Sequence, residues 1–551
     1  MVGVPAKAGG CLTCPRRKKG CDKKKPFCQR CISAGYVCEG YDHPHIWINT
    51  TSKKLATYTK AHNPIRTAAE SGSITLCDSL VRSARDTKYI GLFLSAYLPN
   101  GRMLSSTTSQ LSPVGWVRYH EYLSGSEKSL QFITLAHGLA ALAERDDNQQ
   151  LRAKAFEAYR AGLRETAMAI RDPKRATSNG LIAAVRLYRF YEVRTSCPPQ
   201  RDLLARVLVG DLLNKIRYGA KGVVSSGPKQ QIDSYKAHSD GEMAIFQAKG
   251  PCGYWEGPAR HLLADSRVVS YINCVTDRKR SFFSEEDWML LPWRNRKKSP
   301  LDLLTDVLVQ IPGLLQDLDL LRDLDPNEVE TYEATEKLVR HCLQLEQILV
   351  RWKDIMPDAF YLLDSTVVGR QELPSLQTDE DIAVLQPSFL YWSCCIILYT
   401  TMHFARQHSN VPEILAREAQ VPFPHPGEGQ FEHPRNPTLY AHKILYAIPL
   451  CHQSQCGSYA VLASTFPLGI AIRYLTASPY FPHTGEHQPV ILETSFMERF
   501  MAQAYMASYP SIFLANLNHV EATDPKADSL LGWDGIVRQA RKWWFGTRDV
   551  G

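Results

Sequence analysis

The chain carries few of the signals that an enzyme, a membrane protein or a secreted protein needs. It has no Gly-rich phosphate loop, no G-x-S-x-G elbow and no H-E-x-x-H helix, the patterns that seat phosphates, a serine nucleophile or a catalytic zinc. The approach to an acidic magnesium motif at Asp146-Asp147-Asn148-Gln149-Gln150 ends in Gln150, a poorer magnesium ligand than a carboxylate, and no second acidic motif follows. The reading is therefore not an enzyme; an all-α enzyme of the terpene-cyclase kind is the rival, and turnover of prenyl diphosphates with magnesium would establish it. Met1 to Gly10 lacks the apolar stretch of a signal peptide. Ser388 to Ala405 has no Asp, Glu, Lys or Arg, yet it includes Ser393, Thr400, Thr401 and His403, which are costly in lipid. It reads as a buried core helix, with no membrane partner. Strand signals are rare and no repeat of fixed period stands out. No a/d heptad is sustained across residues 40–85, so a parallel coiled-coil dimer has no support, and a monomer or a homodimer made through the rest of the chain both stay open.

Charge and cysteine are where the chain departs from an ordinary neutral globule. The 551 residues carry a net +8, unevenly spread. Residues 1–45 hold nine Lys or Arg against Asp22, Glu39 and Asp42, a formal +6, and the remainder is nearly neutral. A small basic head on a large neutral body suits binding to a polyanion. Six of the 15 cysteines fall in that head as C-x2-C-x6-C written twice: Cys11, Cys14 and Cys21, then Cys28, Cys31 and Cys38. Three thiols cannot close a four-sulfur site alone. Two tetrahedral zinc ions need eight ligand positions, and six thiolates fill eight if two of them bridge both metals. Six thiolates and two zinc ions would leave about +4 on the module. Disulfides are the rival reading in a secreted chain; the missing signal peptide and the nine scattered cysteines favour a reducing compartment.

Between the second and third cysteines lie Pro15, Arg16, Arg17, Lys18, Lys19 and Gly20. Pro15 can open a short helix and Gly20 can end it, which puts four consecutive cations at the rim of the cluster. Asp22, Lys23, Lys24, Lys25 and Pro26 form the loop joining the halves. This pattern resembles the fungal binuclear zinc cluster (Zn₂Cys₆) DNA-binding domain. The resemblance implies that Cys11 and Cys28 bridge, that Cys14 and Cys21 complete one zinc, and that Cys31 and Cys38 complete the other. It implies a helix in the major groove at a C-G-G triplet, with Lys18 reading guanine edges and Arg16, Arg17, Lys19 and Lys23 mainly holding phosphates. The family usually has Arg or Lys where this chain has Pro15 and Gly20, so fewer phosphate contacts and a shallower salt dependence are expected. The partner is double-stranded DNA and the compartment the nucleus, with Arg16 to Lys25 as import signal. A zinc-folded protein-interaction module is the other alternative.

The expected organisation is a tail over 1–10, the zinc cluster over 11–38, a polar linker over 39–85 and an irregular α-helical body over 86–551, so that the fold is mainly α. Helices are expected over Leu181–Val193, Leu203–Ile216, Asp302–Leu321 and Val329–Trp352, and near 387–407, 438–450, 458–476 and 490–508, with long loops at 421–437 and 478–489. Phe156, Tyr159, Leu163, Ala167 and Ile170 suggest one apolar helix face. Ala237 to Gly241, Lys249-Gly250-Pro251, Trp255, His261, Arg267, Trp288 and Pro292-Trp293 resemble the fungal-specific transcription factor regulatory domain. That resemblance implies a middle region supplying regulation, dimer contacts and coactivator recruitment, often over biosynthetic gene clusters. Cys451 and Cys456, and Cys394 with Cys395, read as core thiols rather than ligands. Arg278 to Arg280 and Arg294 to Lys298 read as surface charge.

Overall fold

Apolar residues at three- and four-residue steps make the large part of the chain helical. In the computed structural model the describable residues are 11, 13–17, 19–24, 28–34, 78–102, 105, 108–195, 228–255, 257–366, 373–408, 435–478 and 540–545, and no strand occurs among them. The chain divides into two units, Met1–Thr75 and Leu76–Gly551. The larger unit starts ahead of the boundary read from sequence: its first described helix, α3, runs Asp78–Tyr97, following α1 (Thr13–Arg16) and α2 (Gln29–Ile32) of the small unit. The expected helices over 203–216 and 490–508, and nearly all of the two expected long loops, lie outside the described residues.

In the larger unit α4 (His120–Ser126), α5 (Lys128–Arg145), α6 (Gln149–Arg171), α7 (Asn179–Thr195), α8 (Pro228–Lys249) and α9 (Gly257–Asp277) come first. They are followed by α10 (Glu286–Leu290), α11 (Pro300–Leu308), α12 (Ile311–Arg322), α13 (Val329–Lys353) and α14 (Asp358–Thr366). The last described are α15 (Asp379–Ala383), α16 (Leu385–His408), α17 (Pro437–Cys451) and α18 (Gly457–Ala477), with a helical piece over 540–545. Two apolar cores form, and α9 serves both. Ala259, Leu262 and Leu263 join Phe93, Trp116, Tyr188 and Phe246 in the first. Val268, Tyr271 and Val275 join Leu314, Leu349, Trp392 and Phe466 in the second. The Ser388–Ala405 stretch lies inside α16 and is almost wholly buried in protein.

Two sequence expectations are corrected by local chemistry. Asp302–Leu321 is two helices rather than one. Ser299 and Asp302 form a reciprocal capping box over Pro300, but Pro312, which has no N–H to donate, forces a restart in the first turn of α12. The buried face of α6 consists of Ala155, Ala158, Tyr159, Gly162, Thr166 and Ala169, while Ala167 faces out and Ile170 is 56% exposed. Small residues win that face because neighbours come close: a Cβ on Gly162 would lie 2.2 Å from the Tyr188 hydroxyl. The same holds at Gly138 of α5, where a Cβ would lie 2.2 Å from the carbonyl oxygen of Tyr89. The turn Asp325-Pro326 precedes α13, which begins at Val329.

The first core encloses a buried ionic group. Arg186 on α7 donates to Glu242 Oε1 on α8 at 2.7 Å and to the Leu262 carbonyl at 2.8 Å, and lies 2.8 Å from Asp265 on α9. Arg189 donates to Glu242 Oε2 at 3.0 Å, and Ser266 donates to Glu242 Oε1 at 2.6 Å. Two guanidiniums and two carboxyls thus meet away from water, each charge facing at least one of opposite sign, as burial of charge demands. Most of the side chains that carried the regulatory-domain resemblance pack in structural contacts. His238 stacks on Tyr188, Lys249 donates to Asn179, Arg267 pairs with Asp306 and lies over Trp293, and Trp288 and Trp293 are buried.

Burial also holds several imidazoles neutral. Desolvation lowers His120, His238, His261 and His452 to about 4. A folded-state value below the unfolded one means that the unfolded chain binds more protons between about 4 and 6.5, so stability rises with pH there. Burial also raises two carboxyls, Asp265 to about 6 and Glu192, which act in the opposite sense but are two groups against four. The folded state is therefore expected to lose stability, and the melting temperature to fall, when the pH is lowered from 7 to 5; the loss is at most about 1.4 kcal/mol per pH unit for each imidazole. Thermal melts across that range check it; a flat or rising profile toward acid would contradict it.

Candidate metal centre and nucleic-acid interface

Both halves of the cysteine repeat start the same way. After Cys11 the chain forms α1, Thr13–Arg16, and after Cys28 it forms α2, Gln29–Ile32. These are single turns, and among the described residues Cys11, Cys14, Cys28 and Cys31 form a core of their own with Cys21 against it. The Sγ atoms of Cys11, Cys14, Cys21 and Cys28 all lie within 4.8 Å of one another. Cys31 joins them, with its Sγ 3.8 Å from that of Cys11 and 3.6 Å from that of Cys14, and Cys14 is 3.6 Å from Cys28. A tetrahedron with Zn–S bonds of about 2.3 Å has S···S edges of about 3.8 Å, so the spacing fits the metal. Cys38 lies outside the described residues.

The donor chemistry fits as well. Crowding and burial push the Cys14 thiol well above its ordinary range; a dication reverses that, because zinc takes the thiolate and releases the proton. Backbone amides also point at sulfur. The N–H groups of Cys11 and Lys23 donate to Cys21 Sγ at 3.3 and 3.4 Å, the kind of outer contact that orients a ligand and spreads its charge. Lys23 reaches that geometry with φ of 58°, a left-handed conformation that costs a non-glycine residue roughly 1–2 kcal/mol.

The basic run follows α1. The turn at Arg17 closes with its N–H on the Thr13 carbonyl at 3.2 Å, and the Lys19 N–H reaches the Cys14 carbonyl at 3.0 Å. Arg16 ends α1, Arg17 is half-buried, and Lys19, Lys23 and Lys24 are exposed; Lys18 lies outside the described residues. The helix opens two residues ahead of Pro15, and Gly20 is not left-handed; the left-handed turn falls at Lys23 instead. Sequence reasoning also missed Asp22. Its carboxylate accepts the backbone N–H of Lys24 at 3.4 Å, and those of Gln29 and Arg30, so it ties the inter-half loop to the start of α2. Contact with Cys28, set against desolvation, holds it below the usual carboxylate range. The signal for it is an acid immediately after the third cysteine in an otherwise basic segment.

The other candidate sites dissolve into structure. Asp146 and Asp147 pair with Arg145 and Arg152 on the surface at 2.7 and 2.6 Å. Cys394, Cys395, Cys451 and Cys456 are buried core thiols. Arg278 and Arg280 pair with Asp319 and Asp317, and Arg294 lies over the Trp255 ring. Among the described residues, the four-cysteine group is the one gathering of three or more potential metal ligands.

A small module folded on clustered thiols with one cationic edge is a zinc-cluster domain. Residues 9–47 match the fungal Zn(2)-Cys(6) binuclear cluster domain, which binds two zinc ions. Over 34 residues the chain is 53% identical to an uncharacterized transcriptional regulatory protein of Schizosaccharomyces pombe, and over 32 residues it is 56% identical to the transcriptional regulatory protein moc3 of the same organism. Each match covers 6% of this chain and 6% of the relative. No solved structure matches the chain.

Proposed function

We propose that the chain is a nuclear, sequence-specific DNA-binding regulator of RNA polymerase II transcription. The observation that carries this is the asymmetry of the cysteine repeat. Both halves supply sulfur alike, yet residues 15–20 of the first read Pro-Arg-Arg-Lys-Lys-Gly where residues 32–37 of the second read Ile-Ser-Ala-Gly-Tyr-Val. A metal fold alone would need neither charge; a surface that docks on phosphate needs it on one side. Cys11 and Cys28 bridge the two ions, Cys14 and Cys21 complete one, and Cys31 and Cys38 the other. The mutual approach of the first four sulfurs supports that grouping.

Lys18 donates to O6 and N7 of guanine in a C-G-G half-site, and Arg16, Arg17, Lys19 and Lys23 hold phosphates. Three base pairs at about 1–3 kcal/mol each give limited specificity, so a second half-site or a partner completes it. The body beyond residue 76 acts as a fungal-specific regulatory domain that supplies dimer contacts and recruits coactivators, and the targets are genes of a metabolic or secondary-metabolite cluster. Lys18→Ala is expected to cost ~1–3 kcal/mol on a C-G-G duplex and to relax triplet preference. Band shifts with C-G-G and scrambled duplexes test it; equal losses on both would contradict base reading by Lys18.

A further inference from the structure

The second half of the cluster is neutral after α2 but holds one cation within it. Arg30 is exposed, and its Nη1 donates across ten residues of chain to the carbonyl oxygen of Gly20 at 3.2 Å. That carbonyl closes the basic run Arg16–Lys19. Gly20 is not in the left-handed region, so backbone conformation does not demand glycine there. A Cβ on Gly20 would sit 3.3 Å from Arg30 Nη1, so the guanidinium would have to give by a few tenths of an ångström to keep its place. The glycine thus makes a seat for a guanidinium from the other half. Asp22 accepts from the Arg30 backbone N–H, so the residue is fixed at its main chain as well as its tip. A guanidinium has five N–H donors in a rigid plane, and this one spends one of them on Gly20 at the exposed end of a cationic edge.

We propose that Arg30 is a contact to the phosphodiester backbone of duplex DNA, contributed by the second half of the cluster and seated on Gly20 beside the basic run. This rests on the DNA-binding reading above and adds to it a residue outside the run. It makes the cationic face a product of both halves, so that folding of the cluster, and not the basic sequence alone, sets the spacing of the charges.

The test uses the full chain loaded with two zinc ions and two duplexes, one with C-G-G triplets and one scrambled. Arg30→Gln is expected to weaken binding to both by the same factor and to reduce the slope of log affinity against log salt by about 0.9, the share of one phosphate. The ratio of parent to variant affinity should then shrink roughly 3.5-fold over a fourfold rise in salt. Arg30→Lys should keep the slope. Gly20→Ala should weaken binding in the parent and have no further effect in Arg30→Gln. Zinc analysis confirms that each variant keeps both ions; should Arg30→Gln lose them, Arg30→Lys and Gly20→Ala still decide. A parent slope unchanged in Arg30→Gln would overturn the assignment and leave Arg30 as a loop-positioning residue. A zinc-loaded parent that binds neither duplex would overturn the DNA reading itself, and this one with it.

Discussion

Glu242→Ala is expected to lower the stability of the body by about 3–5 kcal/mol, the cost of leaving buried charge uncompensated. Glu242 is fully buried and accepts from Arg186, Arg189 and Ser266. Without it, Arg186 keeps Asp265 at 2.8 Å and a place over the Trp116 ring, but neither group offsets both guanidiniums. Because these residues come from α7, α8 and α9, the loss unpins the helices on which the first core is built. Urea unfolding with a tryptophan-fluorescence readout measures it. A loss under about 1 kcal/mol would mean that the two arginines find water or another anion there. Zinc content should not change, since the cysteine cluster belongs to the other unit.

The second large effect concerns Cys28. Its Sγ is 3.6 Å from that of Cys14 and belongs to the four-sulfur group. On the proposed bridging it would serve both ions, so Cys28→Ser should release both, whereas Cys14→Ser should release one. Structural zinc contributes on the order of 10 kcal/mol to folding of such small modules, and among the described residues the buried core there is made of cysteine alone. The small unit is therefore expected to unfold in Cys28→Ser while the body melts as before. Metal analysis of the purified variants decides; one zinc retained in Cys28→Ser would refute bridging by that residue.

The metal centre was legible in the sequence because ligand spacing is a covalent fact: C-x2-C-x6-C repeated sets which thiols can meet, and five of the six do meet in the described residues. The body's long helices were legible for a similar reason, since a periodic apolar face such as that of Val329–Lys353 marks a helix within the sequence itself. What stayed hidden depends on contacts across the chain. The Gly20–Arg30 contact, the Asp22 tie and the left-handed turn at Lys23 follow from how the halves fold together, not from either half alone. The buried face of α6 depends on how near Tyr188 comes, which periodicity cannot encode. The ionic group of Arg186, Arg189, Glu242 and Asp265 joins residues up to 79 apart in sequence, and single-residue patterns place charge outside, not in.

The most direct measurement is a zinc titration of the chelated full chain, with binding to a C-G-G duplex followed alongside metal content. Duplex binding should vanish on zinc removal and return in proportion to metal, complete at two ions per chain. Binding that survives chelation, or full recovery at one ion, would contradict a two-zinc cluster as the fold of the DNA-binding edge.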